Sequence, residues 1–273
     1  MASTESRDET YTYEQTLKKE DAPHWQGNVE KVLQDRTRQM LQTYSRIASS
    51  DVVAHIEHAQ QRAWDLAPFA SVGAMTWLNS YLRLHISYDT VLDRVKAGAS
   101  ILDCGCMIAP DLRELAYAGT PSDKMYGFDI QSEFFDIGYD FYKDRNSFKA
   151  HFFPADVVKD FSESELASLA GQIDIICLGQ ESMFLGSQNG YPGGHDILIR
   201  DGSQRILPQS DRIFLGDAEQ IKEIWTEVGE KTNTKWKVES RLLDLRTIGL
   251  HDDDGSPYKK FTGYNLQWTA TMC

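Results

Sequence analysis

Three carboxylates in the middle of the chain carry the strongest chemical signal. They are Asp103 in Ile101-Leu102-Asp103-Cys104-Gly105-Cys106, Asp129 in Tyr126-Gly127-Phe128-Asp129-Ile130, and Asp156 in Pro154-Ala155-Asp156. Each follows a short apolar run of the kind that forms a buried strand. Each would then stand at the carboxyl end of its strand, where α/β sheets bind nucleosides. Asp103 suits the ammonium of a nucleoside cofactor with an amino-acid tail, and Gly105 in the next turn allows close backbone approach. Asp129 offers only acceptors and so suits both hydroxyls of a ribose. Asp156 can accept from an adenine amino group, with Val157 packing on the ring. A single Asp at a strand end is more often a turn residue than a ligand. Three in order at successive strand ends point to a nucleoside pocket. The turn after Asp103 is poor in glycine, because Met107 and Ala109 stand where glycine is expected. That disfavours a dinucleotide, whose pyrophosphate would lie on the turn.

Acid–base candidates are more numerous and less specific. Gln180 and Glu181 follow the fourth apolar run and hold the best position; His151, His195 and His251 are further candidate bases. His55-x-x-His58 falls on one helix face without a third ligand and reads as surface. Cys104-x-Cys106 lacks a second Cys/His pair, and the acidic run at residues 251–254 reads as a solvated turn, so no metal is expected. A phosphate loop and a nucleophile elbow are both missing from the sequence, which argues against nucleoside triphosphate hydrolysis and serine-hydrolase chemistry.

The elements that must position these residues follow a strand–helix rhythm from residue 100 onward. Strands are predicted at residues 100–104, 124–129, 148–153 and 173–178, with a fifth at 197–199 and late strands at 236–245 and 261–272. Pro110 suits a helix first turn and Gly119 its exit; residues 133–142 form the next helix. Ser162-x-x-Glu165 and Asp217-x-x-Gln220 open two more, the second ending near Gly229. Residues 179–194 read as an irregular, glycine-rich crossover. Upstream, residues 25–63 show helical periodicity with a new start at Ser50-Asp51, and residues 75–84 form a partly helical apolar element. The expected organisation is a flexible segment at 1–24, a helical cap at 25–95 and an α/β core at 96–273.

The 273 residues are 41% hydrophobic and 25% charged, with a formal net charge of −13. That excess of negative charge argues against nucleic-acid binding. No apolar run is long enough for a membrane helix, and the start shows neither a signal core nor a transit peptide, so the cytosol is the expected location. Cys104, Cys106, Cys177 and Cys273 suggest no disulfide framework.

Several segments resemble the class I S-adenosylmethionine-dependent methyltransferases, and more narrowly the fungal methyltransferases of meroterpenoid biosynthesis. They are ILDCGCMIAPDLRELAYAG, PSDKMYGFDIQSEFFDIGYDFYKDR, HFFPADVV, IDIICLGQ and FLGDAEQIKEIWTEVGEKTNTKWKV. The resemblance runs from about residue 70 to the end. It implies a Rossmann-like α/β fold with a seven-stranded, mostly parallel sheet, a reversed last hairpin and an N-terminal helical lid. It assigns S-adenosylmethionine as cofactor, with Asp103 and Gly105 at the methionine moiety, Asp129 at the ribose, Asp156 and Val157 at the adenine, and Ile130 as a further cofactor-binding residue. The implied activity is O-methylation of a hydrophobic terpenoid or meroterpenoid, at a carboxyl group. The alternative is a cyclase or isomerase on the same fold, with side chains such as Glu181 or His195 supplying acid–base or pericyclic chemistry; Gln180, Glu181 and His195 are the candidate catalytic residues. A non-catalytic binding partner is a third reading. The family carries glycine at the position of Ala109, and a regular helix where residues 179–194 are glycine-rich. A homodimer is compatible with the aromatic N-terminal helices.

Overall fold

The computed structural model describes residues 25–156, 165–178, 185–189, 195–198, 212–215, 217–244 and 264–272. The helical periodicity of the N-terminal part produces α1 (Asp35–Thr43), α2 (Val52–Leu66), α3 (Ala70–Gly73) and α4 (Tyr88–Lys96). The new start at Ser50-Asp51 is found, as a 3-10 turn over Ser49–Asp51 leading into α2. The helical stretch expected before that start is itself interrupted. A 3-10 turn covers Val29–Lys31, and after α1 the chain reverses at Arg46, which has φ 58°. Residues 75–84 are helical only in part, as two separate 3-10 turns, Thr76–Leu78 and Leu82–Leu84. Asn79 between them is the reason. Its Nδ2 donates to the Val32 carbonyl at 2.6 Å, while its Oδ1 accepts from the Gln34 amide and the Thr37 hydroxyl. Such side-chain bonding to distant backbone competes with continued helix.

From residue 101 onward, strands and helices alternate: β1 (Ile101–Cys104), α5 (Pro110–Tyr117), β2 (Met125–Asp129), α6 (Glu133–Tyr142) and β3 (His151–Pro154). A 3-10 turn at Glu165–Leu169 precedes β4 (Ile175–Leu178) and β5 (Leu185–Asn189); Ser162, expected to cap it, lies outside the described residues. There follow β6 (His195–Leu198), β7 (Arg212–Leu215), α7 (Ala218–Thr232), β8 (Trp236–Asp244) and β9 (Tyr264–Met272). The main sheet runs β3-β2-β1-β4-β5-β9-β8. The pairs from β3 to β5 are parallel, and β9 is antiparallel to both β5 and β8. This is a class I methyltransferase-like arrangement of a parallel sheet with helices. β1 lies centrally and is buried along its length, as a parallel strand covered on both faces must be.

The predicted fifth strand requires correction. Residues 195–198 pair with β7 in a separate two-stranded ribbon, whereas the sheet's next strand is Leu185–Asn189, inside the predicted crossover. The ladder from Leu185↔Thr269 to Asn189↔Asn265 supplies the reason, since tertiary pairing outweighs the low strand preference of Gly186 and Asn189. α7 also runs past Gly229 to Thr232. Asp217 and Gln220 form its capping box, and a Cβ at Gly229 would lie 2.7 Å from the Thr234 carbonyl oxygen.

One apolar core joins the two halves. Leu41, Val52, Ile56, Val72 and Leu78 pack in a continuous cluster with Ile108 and with Phe134, Ile137 and Phe141 of α6. Among the described residues no helix is long and apolar enough to cross a membrane.

Candidate functional site

Register places Asp103 on β1 between Gly127 of β2 and Cys177 of β4. Neither neighbour offers a hydrogen-bonding side chain of consequence. Asp103 is 2% exposed, and its Oδ1 has no hydrogen-bond partner among the described residues. Burial raises its pKa well above the carboxylate range, and the charges of Asp111 and Asp129 add to the effect. A buried acceptor without a donor is costly in the free protein, and a bound ammonium or N–H group would remove that cost.

The following turn has an alternating backbone. Gly105 (φ 66°), Met107 (φ 49°) and Ala109 (φ 50°) are all left-handed, so the two positions where glycine was expected do adopt a glycine-like conformation. The turn is stapled to the end of β2. The Met107 amide donates to Asp129 Oδ2 at 2.9 Å, and the Cys106 amide to the Phe128 carbonyl at 2.9 Å. The Gln131 amide donates to Asp129 Oδ1 at 3.0 Å. Burial raises the pKa of Asp129, opposed by the amides of Gln131, Met107 and Ile130. Each Asp129 oxygen keeps acceptor capacity for a ribose hydroxyl. Ile130, next in the chain, is 60% exposed and leaves an apolar surface at the same edge. The Ala155 amide donates to the Asp129 carbonyl at 3.1 Å, which brings half-buried Asp156 to the neighbouring strand end.

The other predicted residues are less well placed or lie elsewhere. His151 begins β3, at the opposite end of the strand from Asp156; it is exposed and stacks on Tyr126 at 5.2 Å. Its Nε2 lies 3.1 Å from the Asp123 carbonyl, so it does not reach this site. Val157, Gln180, Glu181 and His251 lie outside the described residues, and only the backbone of His195 is described. His55, read as surface, is half-buried: its Nε2 is 2.8 Å from the Phe141 carbonyl and its ring stacks on Phe141 at 5.1 Å. Burial lowers its pKa. Among the described residues no group of three or more His, Cys, Asp or Glu could hold a metal ion.

Sequence reasoning missed Asp111, whose position in a helix first turn looks like ordinary dipole compensation. It is buried, and its Oδ1 accepts from the Ser80 hydroxyl at 2.6 Å and the Leu82 amide at 3.0 Å. Burial raises its pKa despite these donors. Tyr81, beside them, is pushed up to about 12 by burial and by Asp111. Further along the same segment, Gln267 of β9 donates to the Leu84 carbonyl at 3.2 Å and accepts from the Ile86 amide at 3.3 Å. Residues 80–86 are thus fastened at one end to α5 and at the other to the far strand. Those bonds join residues distant in sequence, and no local pattern announces them.

Comparison with known proteins gives a consistent set of relatives. Residues 24–78 match the family model described as "Meroterpenoid methyltransferase N-terminal domain". The chain is similar to O-methyltransferase atr3 of Stereocaulon alpinum, at 31% identity over 76% of this chain and 65% of that protein. It is 30% identical to O-methyltransferase phiE of Fungal sp. (strain ATCC 74256), over 76% of this chain and 75% of that protein. Asnovolin E/Chermesin D methyltransferase nvfJ of Aspergillus novofumigatus is 31% identical over 51% of this chain and 50% of that one. The chain thus spans between half and three quarters of the length of these relatives. With that identity and coverage, and with a methyltransferase-like sheet carrying acidic residues at its strand ends, the chain belongs to this family of fungal O-methyltransferases.

Proposed function

We propose that the protein is an S-adenosylmethionine-dependent O-methyltransferase acting on a hydrophobic terpenoid or meroterpenoid, at a carboxyl group. The observation that carries this reading is the buried, unpartnered Oδ1 of Asp103 beside a left-handed turn. Its chemistry fits the ammonium of the cofactor's amino-acid tail. Family membership supports the same reading. S-adenosylmethionine, when bound, supplies a methyl group on a positively charged sulfur.

The chain's own residues then have separate tasks. Asp103 holds the ammonium, and Gly105 allows close approach of the backbone without a side chain in the way. Asp129, already oriented by three backbone amides, accepts the ribose hydroxyls. Ile130 packs against the nucleoside beside Asp129, Asp156 accepts from the adenine amino group, and Val157 packs on the ring. A carboxylate acceptor is deprotonated and nucleophilic at neutral pH, so the enzyme's main task is to align it with the methyl group. Gln180, Glu181 and His195 are proposed to line the acceptor side. The N-terminal helices are proposed to cover an apolar substrate.

Calorimetry with S-adenosylmethionine and its demethylated product tests the cofactor assignment, and mass spectrometry of candidate acids tests the transfer. The expected result is binding of both nucleosides and the mass gain of one methyl group. Binding of neither would overturn the proposal. Binding with a rearranged product of unchanged mass would favour the cyclase or isomerase. Asp129→Ala is expected to weaken cofactor binding at least tenfold, as loss of a hydrogen-bonded charged acceptor does.

A further inference from the structure

Residues 105–109 place left-handed backbone at every second position, yet only the first of the three is glycine. Met107 and Ala109 carry a Cβ in a conformation that L-residues avoid, so something outside the turn must hold it. The staples to β2 act through residues 106 and 107. A further support reaches the turn from behind. Arg113 donates from Nη1 to the carbonyl of Ile108, between the two strained residues, at 2.7 Å.

Arg113 has little freedom to do anything else. Its side chain is 1% exposed, its Nε donates to Asp144 Oδ2 at 2.8 Å and its Nη2 to Asp144 Oδ1 at 3.2 Å. The Tyr44 hydroxyl donates to the same Oδ2 at 3.0 Å, and the guanidinium lies 4.5 Å from the Phe148 ring centre and 4.8 Å from that of Tyr142. A planar fork held on two of its nitrogens fixes the direction of the third. α6 leaves room for this contact at Gly138. A Cβ there would lie 2.9 Å from the Ile108 carbonyl oxygen and 3.3 Å from Arg113 Nη1.

We infer that Arg113, locked by Asp144 and accommodated by Gly138, is a positioning residue that holds residues 105–109 in the shape that receives the cofactor. It does from outside what glycines at 107 and 109 would do from within. The inference concerns the free protein; its effect on cofactor affinity rests on the proposed function.

The test uses the full chain as wild type, Arg113→Lys, Gly138→Ala, and Arg113→Lys combined with Met107→Gly and Ala109→Gly. Amide hydrogen exchange at Met107 and Ala109 is measured without cofactor, and S-adenosylmethionine affinity by calorimetry. Arg113→Lys and Gly138→Ala are each expected to speed exchange at these two amides at least tenfold while leaving Leu266 and Trp268 of β9 unchanged. Both are expected to weaken cofactor binding about tenfold, and the two glycines to restore binding in the Arg113→Lys background. A purely structural role would speed exchange throughout and would not be rescued by glycine. Unchanged turn exchange in folded Arg113→Lys or Gly138→Ala, or failure of the glycine rescue when the wild type does bind, overturns the inference. If turn exchange responds as expected but even the wild type binds no S-adenosylmethionine, the brace stands and the proposed function falls.

Discussion

Arg113 and Glu114 are neighbours on α5, each about 1% exposed, and their charges are met in opposite ways. Arg113 meets Asp144, which is itself sealed from solvent. Glu114 is met from the surface: Arg36 of α1 contacts both of its oxygens and keeps 38% of its side chain exposed. The Tyr88 hydroxyl donates to Glu114 Oε1 at 3.1 Å, and Arg83 stands 3.8 Å away. A sealed pair survives only with full hydrogen bonding, so it specifies one geometry. A half-open pair lets one partner return to water, so it docks the N-terminal helices on the core without fixing a turn. Asp103 extends the contrast: it is a sealed acid whose Oδ1 accepts from no described residue.

The largest expected effect breaks the sealed pair. Asp144→Ala leaves Arg113 buried without a counter-charge and should cost about 3–5 kcal/mol in urea unfolding. Arg36→Ala should cost about 1–2 kcal/mol, because Tyr88 and Arg83 remain and water can enter. A double-mutant cycle in roughly 1 M salt should shrink the Arg36–Glu114 coupling and spare that of Arg113 with Asp144. Equal losses would erase the distinction between the two pairs.

Asp103→Asn probes the unmet charge and should act in two directions. Cofactor affinity should fall at least tenfold, while the free protein gains about 1 kcal/mol at neutral pH, measured by thermal unfolding. The pH dependence follows from the raised pKa. The folded state holds this proton more tightly than the unfolded state does. The contribution is therefore complete below the ordinary carboxylate range and is lost as pH rises through the raised value. As pH rises from the ordinary carboxylate range to neutrality, free wild type should lose more stability than Asp103→Asn. Asp111 and Asp129, raised in the same sense, leave part of the slope in the variant. The smallest effect is that of Tyr88→Phe, which removes one of the bonds to Glu114 and should cost about 0.5–1 kcal/mol.

What the sequence made legible depended on how far apart the partners stand. β1 and β2 are readable because apolar runs ending in acid and glycine are local signals. The α7 cap is readable because Asp217 and Gln220 sit one helical turn apart. β5 was not, since its ladder lies on β9, far along the chain. Arg113 and Glu114 look like an ordinary polar helix face between Leu112 and Leu115, and nothing nearby announces Asp144 or Arg36. His55 was misread for the same reason, because the carbonyl it meets belongs to α6. The turn at 105–109 was half legible. Its missing glycines were visible, but the support that replaces them was not.

The Gln267 clamp has a consequence for how the chain is made. Leu84 and Ile86 are held by Gln267 of β9, about 180 positions downstream. The segment between α3 and α4 therefore waits for β9 before it acquires all its native bonds, and contacts this distant slow folding. A nascent chain stopped after α7 would carry its N-terminal helices with that segment only half fastened, at Asp111. The N-terminal layer closes fully only once β9 is in place.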